Sequence, residues 1–203
     1  MNTVTIAQPA TVQDTEDWWR WAFSIKEPPT GNTPFRIGGG AYLNRSQTKP
    51  LLCLACTAAS GGRDLLPRKL TANFFGKPSA LIAVFVATGL SDDPNENYQS
   101  LLQKAKRELY GEPEEAPELQ LFLDDQQVNV DNKFYLESPK PFDVDVANPN
   151  SFEDPPGARK AVSVGYWVKV TAPIRIMRFG GRGGQISDSN KEKFETEVTY
   201  FVE

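Results

Sequence analysis

Alternation of apolar and polar residues dominates the chain and predicts a protein built mainly of β-strands. Every second residue of "AVSVGYWVKV" (161–170) is apolar on one face, and "FETEVTYFVE" (194–203) alternates in the same way. Two nearly continuous apolar runs, "LLCLACTAA" (51–59) and "SALIAVFVATG" (79–89), are typical of central strands that are covered on both faces.

Shorter segments complete a set of roughly eight strands. "ELQLFLDDQQVNV" (118–130) predicts two strands around an Asp-Asp-Gln turn, "KFYLESPKPFDVDV" (133–146) is interrupted by prolines, and "IRIMRF" (174–179) is a further strand. Many short strands between turn signals are typical of sandwiches and barrels. We therefore expect a single β-rich domain over residues 1–203, an antiparallel β-sandwich of jelly-roll type, with residues 1–13 as a flexible N-terminal arm.

Two amphipathic helices are expected to cover the sheets. Residues 96–111 space their apolar side chains along one helical face. "DTEDWWRWAFSI" (14–25) begins at Asp14, a capping residue, and has an apolar arc of about 200°, wider than a single buried stripe. Two interpretations stay open. The helix is buried almost completely, or its second stripe, Trp19 with Phe23, faces a ligand pocket or another subunit.

Composition and charge narrow the choice of partners. The chain has 203 residues, 39% hydrophobic and 24% charged, which suffices for one domain with a substantial core. A net charge of -4 gives nucleic acids and anionic membranes no general attraction. The longest apolar run, 80–90, is much shorter than a transmembrane helix, which needs about 20 residues. Residues 1–17 lack the features of a secretory signal, so we expect a cytoplasmic protein unless a leader has been trimmed.

The sequence contains no histidine, which excludes Ser-His-Asp and Cys-His nucleophile systems. Any general acid or base would be Asp, Glu, Lys, Tyr or Cys with a shifted pKa. Cys53 and Cys56 form a Cys-x-x-Cys motif inside an apolar run, where small buried core residues are expected rather than a redox or zinc site. No motif indicates a cofactor.

A candidate recognition surface follows from the strand alternation. Five side chains would share one outward face if segments 161–170, 174–179 and 194–203 were neighbouring strands: Trp167, Lys169, Arg175, Glu195 and Glu197. The predicted ligand-binding residues are Trp19, Phe23, Trp167, Lys169 and Arg175. The function predicted first is a non-catalytic module that uses this surface to bind a small molecule or a protein, including a second copy of the chain.

A carboxylate-dependent enzyme is the alternative function. Asp143 and Asp145 lie two residues apart on a predicted strand, which puts their carboxylates about 6 to 7 Å apart on one face. They are weak candidates for a metal site, and together with Glu195 and Glu197 they are the candidates for acid/base catalysis. An enzyme of this kind requires an enclosed cleft in which a carboxyl group has a strongly raised pKa.

The remaining glycine-rich segment, "FGGRGGQ" (179–185), predicts a mobile hairpin connection, because it lacks the following helix of a phosphate-binding loop. Four short motifs follow one another along the chain: "WWRWAFSI" (18–25), "SPKPFDV" (138–144), "GYWVKV" (165–170) and "RFGG" (178–181), which overlaps this segment. In these motifs the chain resembles a group of small uncharacterised bacterial β-rich proteins, over most of its length. The resemblance implies no established activity.

Overall fold

The computed structural model describes most of the chain, namely residues 7–30, 33–36, 51–57, 62–64, 67–70, 79–112, 114–171, 174–184 and 193–202. Two α-helices and twelve strands occur within these residues. In chain order they are β1 (Ala7–Pro9), α1 (Val12–Ser24), β2 (Leu51–Leu54), β3 (Gly62–Arg63), β4 (Arg68–Leu70), β5 (Ser79–Ser91), α2 (Tyr98–Tyr110), β6 (Glu118–Leu123), β7 (Gln126–Gln127), β8 (Tyr135–Glu137), β9 (Phe142–Val146), β10 (Gly157–Val170), β11 (Ile176–Gly183) and β12 (Phe194–Val202).

The strands form two mixed sheets. The first has the order β1-β10-β5-β2, with β8 and β9 also paired to β10, and the second has the order β3-β12-β11-β6-β7, with β4 also paired to β12. The pairs β2–β5, β3–β12 and β4–β12 are parallel. The fold is therefore mainly β with two helices, as predicted, but it is not antiparallel throughout. The chain between β2 and β5 is long enough for the crossover that a parallel pair needs.

The predicted shared face of β10, β11 and β12 does not form, because these strands belong to different sheets. β10 pairs with β5 along nearly its whole length, whereas β11 pairs with β12 and β6. Trp167 and Lys169 therefore lie in the first sheet. Glu195 and Glu197 lie in the second, and Arg175 directly precedes β11. The premise of one continuous recognition surface was wrong.

Three of the four glycines of the segment 179–185, Gly180, Gly181 and Gly183, lie in a strand rather than in a hairpin connection, and Gly184 directly follows it. Residues 179–183 belong to β11, and Gln185 lies outside the described residues. A β-carbon at Gly180 would overlap the backbone carbonyl of Thr196, and one at Gly181 would lie 2.9 Å from the Phe85 ring. The glycines therefore allow close approach between neighbouring strands and between the two sheets.

Helix α1 begins earlier than predicted. Thr11 is its N-cap, and a reciprocal pair of hydrogen bonds joins Thr11 to Asp14, the residue that the sequence indicated as the cap. Residues 7–9 of the predicted flexible arm pair with β10, and residues 1–6 lie outside the described ones. The segment directly before α1 is therefore an edge strand of the first sheet.

The indole-rich face of α1 forms much of the core. Trp18 is completely buried, and its ring meets those of Trp19, Trp21, Phe35 and Trp167 edge to face, with centroids 5.0 to 5.7 Å apart. Its Nε1–H donates a hydrogen bond to the Leu54 carbonyl. The apolar arc of α1 is therefore buried, as the first interpretation predicts, and Trp19 of its second stripe also lines a cleft, which is described below.

Helix α2 covers β5 and β10 with the apolar face that the sequence predicts. Leu101, Leu102, Ala105 and Leu109 are buried on that face, while Lys104 and Glu108 lie outside it. Neither helix of the described part of the chain is long and apolar enough to cross a bilayer.

Candidate functional site

A cleft of about 340 Å³ lies where α1, α2, β5 and β12 meet. This volume is at the small end of the range for ligand pockets, about 300–1,000 Å³. Its wall includes Trp19 of α1, residues 85–90 of β5, Lys104 and Glu108 of α2, and Phe152 and Asp154 of the segment before β10. Cys56, Phe194 and Thr196 complete the wall.

The pairing of β5 explains why a cleft forms beside this strand. One edge of β5 pairs with β10 as far as Ser91, but β2 covers the other edge only as far as Ile82. Beyond Ile82, no strand of the described residues pairs with that second edge. Residues 85–90 follow directly and line the cleft, so the space lies where the second edge loses its partner.

Two pairs of aromatic rings form the apolar part of the wall. The centroids of Trp19 and Phe152 are 6.0 Å apart, and those of Phe85 and Phe194 are 6.2 Å apart. The indole N–H of Trp19 donates a 2.9 Å hydrogen bond to Oγ of Ser163, which is itself buried. The orientation of the Trp19 ring is therefore fixed by a buried polar partner.

Two carboxyl groups form the acidic part of the wall. Burial raises the pKa of Glu108 to about 7, and the negative charge of Asp154 raises it further, while the backbone N–H of Thr88 acts in the opposite direction. Burial also raises the pKa of Asp154, against the effect of Arg159. Glu108 itself is exposed to solvent, so the effect of the surrounding protein atoms on its carboxyl group is partly screened.

The remaining polar groups of the wall have defined partners, with one exception. The ammonium of Lys104 lies 3.4 Å from the Glu96 carboxylate, and Oγ1 of Thr196 accepts a hydrogen bond from the Thr57 N–H. Oγ1 of Thr88 is buried and has no hydrogen-bond partner among the described residues. An unsatisfied buried hydroxyl of this kind costs about 1–3 kcal/mol.

The arrangement combines a proton donor or acceptor with an apolar binding surface. A carboxyl group with a pKa of about 7 exchanges its proton near neutral pH, whereas an ordinary glutamate is already ionised there. The aromatic rings and the second carboxyl group lie around the same space. The cleft therefore has both the shape and the chemistry to hold a small molecule.

The predicted ligand-binding residues occupy different parts of the molecule. Trp19 lines the cleft, whereas Phe23 and Trp167 are completely buried in the core. Lys169 lies 3.5 Å from the Asp14 carboxylate, and Arg175 is exposed. Of the five, Trp19 is the one that the structure places in the cleft wall. The binding role of the others stays a prediction.

The predicted catalytic carboxylates lie outside the cleft. Asp143 is 83% exposed and 2.7 Å from the Lys160 ammonium, and Asp145 is also exposed on β9. Arg63 donates to Glu195, and Gln120 donates to Glu197. Their catalytic or metal-binding roles stay predictions. In the described part of the chain, no three His, Cys, Asp or Glu side chains stand close enough to hold a metal ion.

Sequence reasoning missed both carboxyl groups of the cleft. Glu108 follows Lys104 by four residues, a spacing that indicates an ordinary surface ion pair on a helix. Asp154 lies in a proline-containing segment with the composition of a solvated loop. Neither residue carries a local signal, because their raised pKa values result from the packing of α2 and this loop around the cleft.

No protein-family model matches this chain, and neither a curated protein nor a solved structure matches it. The fold and the cleft together define the class, a mainly β protein with a small aromatic cleft that contains two carboxyl groups of raised pKa.

Proposed function

We propose that this protein is a non-catalytic binding module that holds a small molecule in the cleft. One observation supports the proposal: a space of about 340 Å³ is lined by two aromatic pairs and by the carboxyl groups of Glu108 and Asp154. A small number of precisely placed polar groups in an aromatic wall is typical of small-molecule sites. We infer that the two sheets form a sandwich that frames this cleft. A jelly-roll order of the strands stays a prediction.

The energetics of the wall support a ligand more than a purely structural role. A carboxyl group with a raised pKa and an unsatisfied buried hydroxyl both destabilise a fold. Among the described residues, Glu108 has the Thr88 N–H but no cation as a partner, and the Thr88 hydroxyl has no hydrogen bond. A ligand that interacts with these groups would recover part of that free energy. An empty cleft would not.

Trp19 offers a direct measurement of binding. The chain has four tryptophans, so its indole N–H groups give four resolvable signals in a ¹H–¹⁵N spectrum. We expect bound compounds to shift the signal of Trp19, assigned with Trp19→Phe, more than that of Trp18, which contacts the Trp19 ring but does not line the cleft.

Leu90 provides a matched pair of variants. Leu90 is half-buried in the cleft wall, so Leu90→Trp should fill the space and abolish binding, whereas Leu90→Met keeps the volume and should retain it. Compounds that bind Leu90→Trp as well as the wild type would show that the site lies elsewhere. A fragment library that never moves the Trp19 signal would also contradict the proposal.

An enzyme that uses Glu108 as a general acid or base is the second candidate function. The pKa of about 7 at Glu108 favours it, since proton transfer is most efficient when the pKa lies near the working pH. It predicts that a compound bound in the cleft is converted into product, and that Glu108→Gln abolishes conversion while binding persists. Binding without conversion of any bound compound would leave the binding module as the better account.

A further inference from the structure

The charges that line the cleft are unbalanced towards negative. Glu108 and Asp154 line the same space, and the charge of Asp154 acts on Glu108. Lys104 lines it too, but its side chain is 48% exposed and its ammonium lies beside the Glu96 carboxylate. The described lining residues from α1, β5 and β12 are uncharged. The guanidinium of Arg159 acts on Asp154 from outside the lining, but it lies 3.1 Å from the Asp92 carboxylate. Charge complementarity therefore favours a cationic ligand.

The aromatic pairs favour the same class of ligand. An aromatic ring carries negative charge on its faces, so ammonium and guanidinium groups bind over Trp and Phe rings, most strongly where water is excluded. Trp19 with Phe152 and Phe85 with Phe194 line the space that also contains the two carboxyl groups. An organic cation would use both kinds of wall at once.

Other kinds of ligand fit the wall less well. An anion would meet two carboxyl groups that already repel each other. A neutral apolar molecule would displace water from both carboxyl groups and supply no partner in exchange. A cation stabilises their ionised forms and so offsets the effect of their burial.

We propose that the ligand of this cleft is a small organic cation, an amine or guanidinium compound whose charged group contacts Glu108 and Asp154 and whose apolar part contacts the aromatic rings. The proposal rests on the proposed function, because it names the class of molecule that the binding module holds. Protonation of the two carboxyl groups would weaken binding, since each would lose its negative charge.

The test uses three probes of similar shape, 2-phenylethylamine, 2-phenylethanol and 3-phenylpropionate, each titrated against the Trp19 indole signal of the full chain. We expect the amine to bind at least about tenfold more tightly than the alcohol, and the carboxylate not to bind. Because Glu108 has a pKa of about 7 and the amine stays protonated, its affinity should be about tenfold higher at pH 8 than at pH 6.

Two variants and a control assign the effect to the cleft. At pH 8, Glu108→Gln should weaken amine binding at least about tenfold and remove most of the pH dependence, and Asp154→Asn should also weaken it. Glu114→Gln, the same change at an exposed position after α2, should leave binding unchanged.

The remaining outcomes contradict the cation proposal, and one of them also contradicts the binding module. Equal affinity for the amine and the alcohol, or unchanged amine binding in Glu108→Gln, would overturn the cation proposal and leave the binding module standing. Calcium or magnesium chloride that moves the Trp19 signal, when the amine does not, would overturn it in favour of a metal site. If no probe moves that signal at millimolar concentration, the cation proposal and the binding module are both contradicted.

Discussion

Replacing Glu108 with glutamine removes an ionisable group whose pKa differs between the folded and unfolded chain. Burial raises the folded pKa from 4.5 to about 7, so the folded protein holds this proton more tightly than the unfolded chain does. The contribution of Glu108 to stability should therefore fall as the pH rises from about 4.5 to 7. The substituted glutamine side chain stays neutral at every pH, so the advantage of the variant over the wild type should grow across this range and be complete above pH 7.

The size of the effect follows from the pKa difference. A difference between 4.5 and about 7 corresponds to about 3.4 kcal/mol, at about 1.4 kcal/mol for each pH unit. Solvent in the cleft screens the Glu108 carboxylate, so we discount this value to about 1–2 kcal/mol. For a chain of 203 residues, that equals an increase in Tm of about 2–8 °C at pH 8, with little difference at pH 4.5.

Thermal unfolding of the wild type, Glu108→Gln and Glu114→Gln at pH 4.5, 6 and 8 measures this difference. The control changes the same type of side chain at an exposed position, so its Tm should follow that of the wild type at each pH. A stability difference for Glu108→Gln that is the same at pH 4.5 and pH 8 would refute the reasoning, because it could not arise from ionisation. An equal gain in Tm for Glu114→Gln would also refute the reasoning.

Three further predictions concern residues outside the cleft. Arg68→Met should lower the free energy of unfolding in urea by about 3–5 kcal/mol, because Arg68 is buried and donates to the buried Asp64 carboxylate, which would lose that partner. The double variant Arg68→Met/Asp64→Leu should recover part of the loss. Thr11→Ala should cost about 1 kcal/mol by removing the N-cap of α1, and an unchanged urea midpoint would contradict that capping role. Asp145→Asn should change the free energy of unfolding by less than about 0.5 kcal/mol and leave amine binding unaltered, because Asp145 is exposed outside the cleft. Weaker amine binding by this variant would show that Asp145 takes part in the site.

The elements of this fold could be predicted because their signals are local. A period of two residues over 161–170 marks most of β10, and a nearly continuous apolar run over 79–89 marks β5. The partners of a strand depend on residues far away in the chain, so alternation in 161–170 could not show that β10 is buried on both faces. The completely buried Trp167, expected on an outward face, shows the difference.

The site was harder to predict than the fold, because its chemistry depends on burial. Glu108 and Lys104 have the spacing of a helical ion pair, yet Lys104 pairs with Glu96, which precedes α2. The loop with Asp154 is shaped by the buried Asn150, whose side chain binds the Ala147 and Asp154 carbonyls. No local pattern encodes either arrangement. The enzyme hypothesis did specify a cleft carboxyl of raised pKa, and Glu108 has that property although it was not among the candidates.

Trp19 connects the core and the cleft, and this explains part of the concentration of indole in α1. Its ring stacks on the buried Phe23 with centroids 5.2 Å apart, and its N–H is held by Ser163 of β10. The same ring lines the cleft, so the aromatic wall is fixed in place before any ligand arrives. Pre-organised contacts lose little conformational entropy on binding. In contrast, Lys104 is half exposed on a flexible side chain, so ordering Lys104 would cost entropy, whereas contact with the Trp19 ring would not.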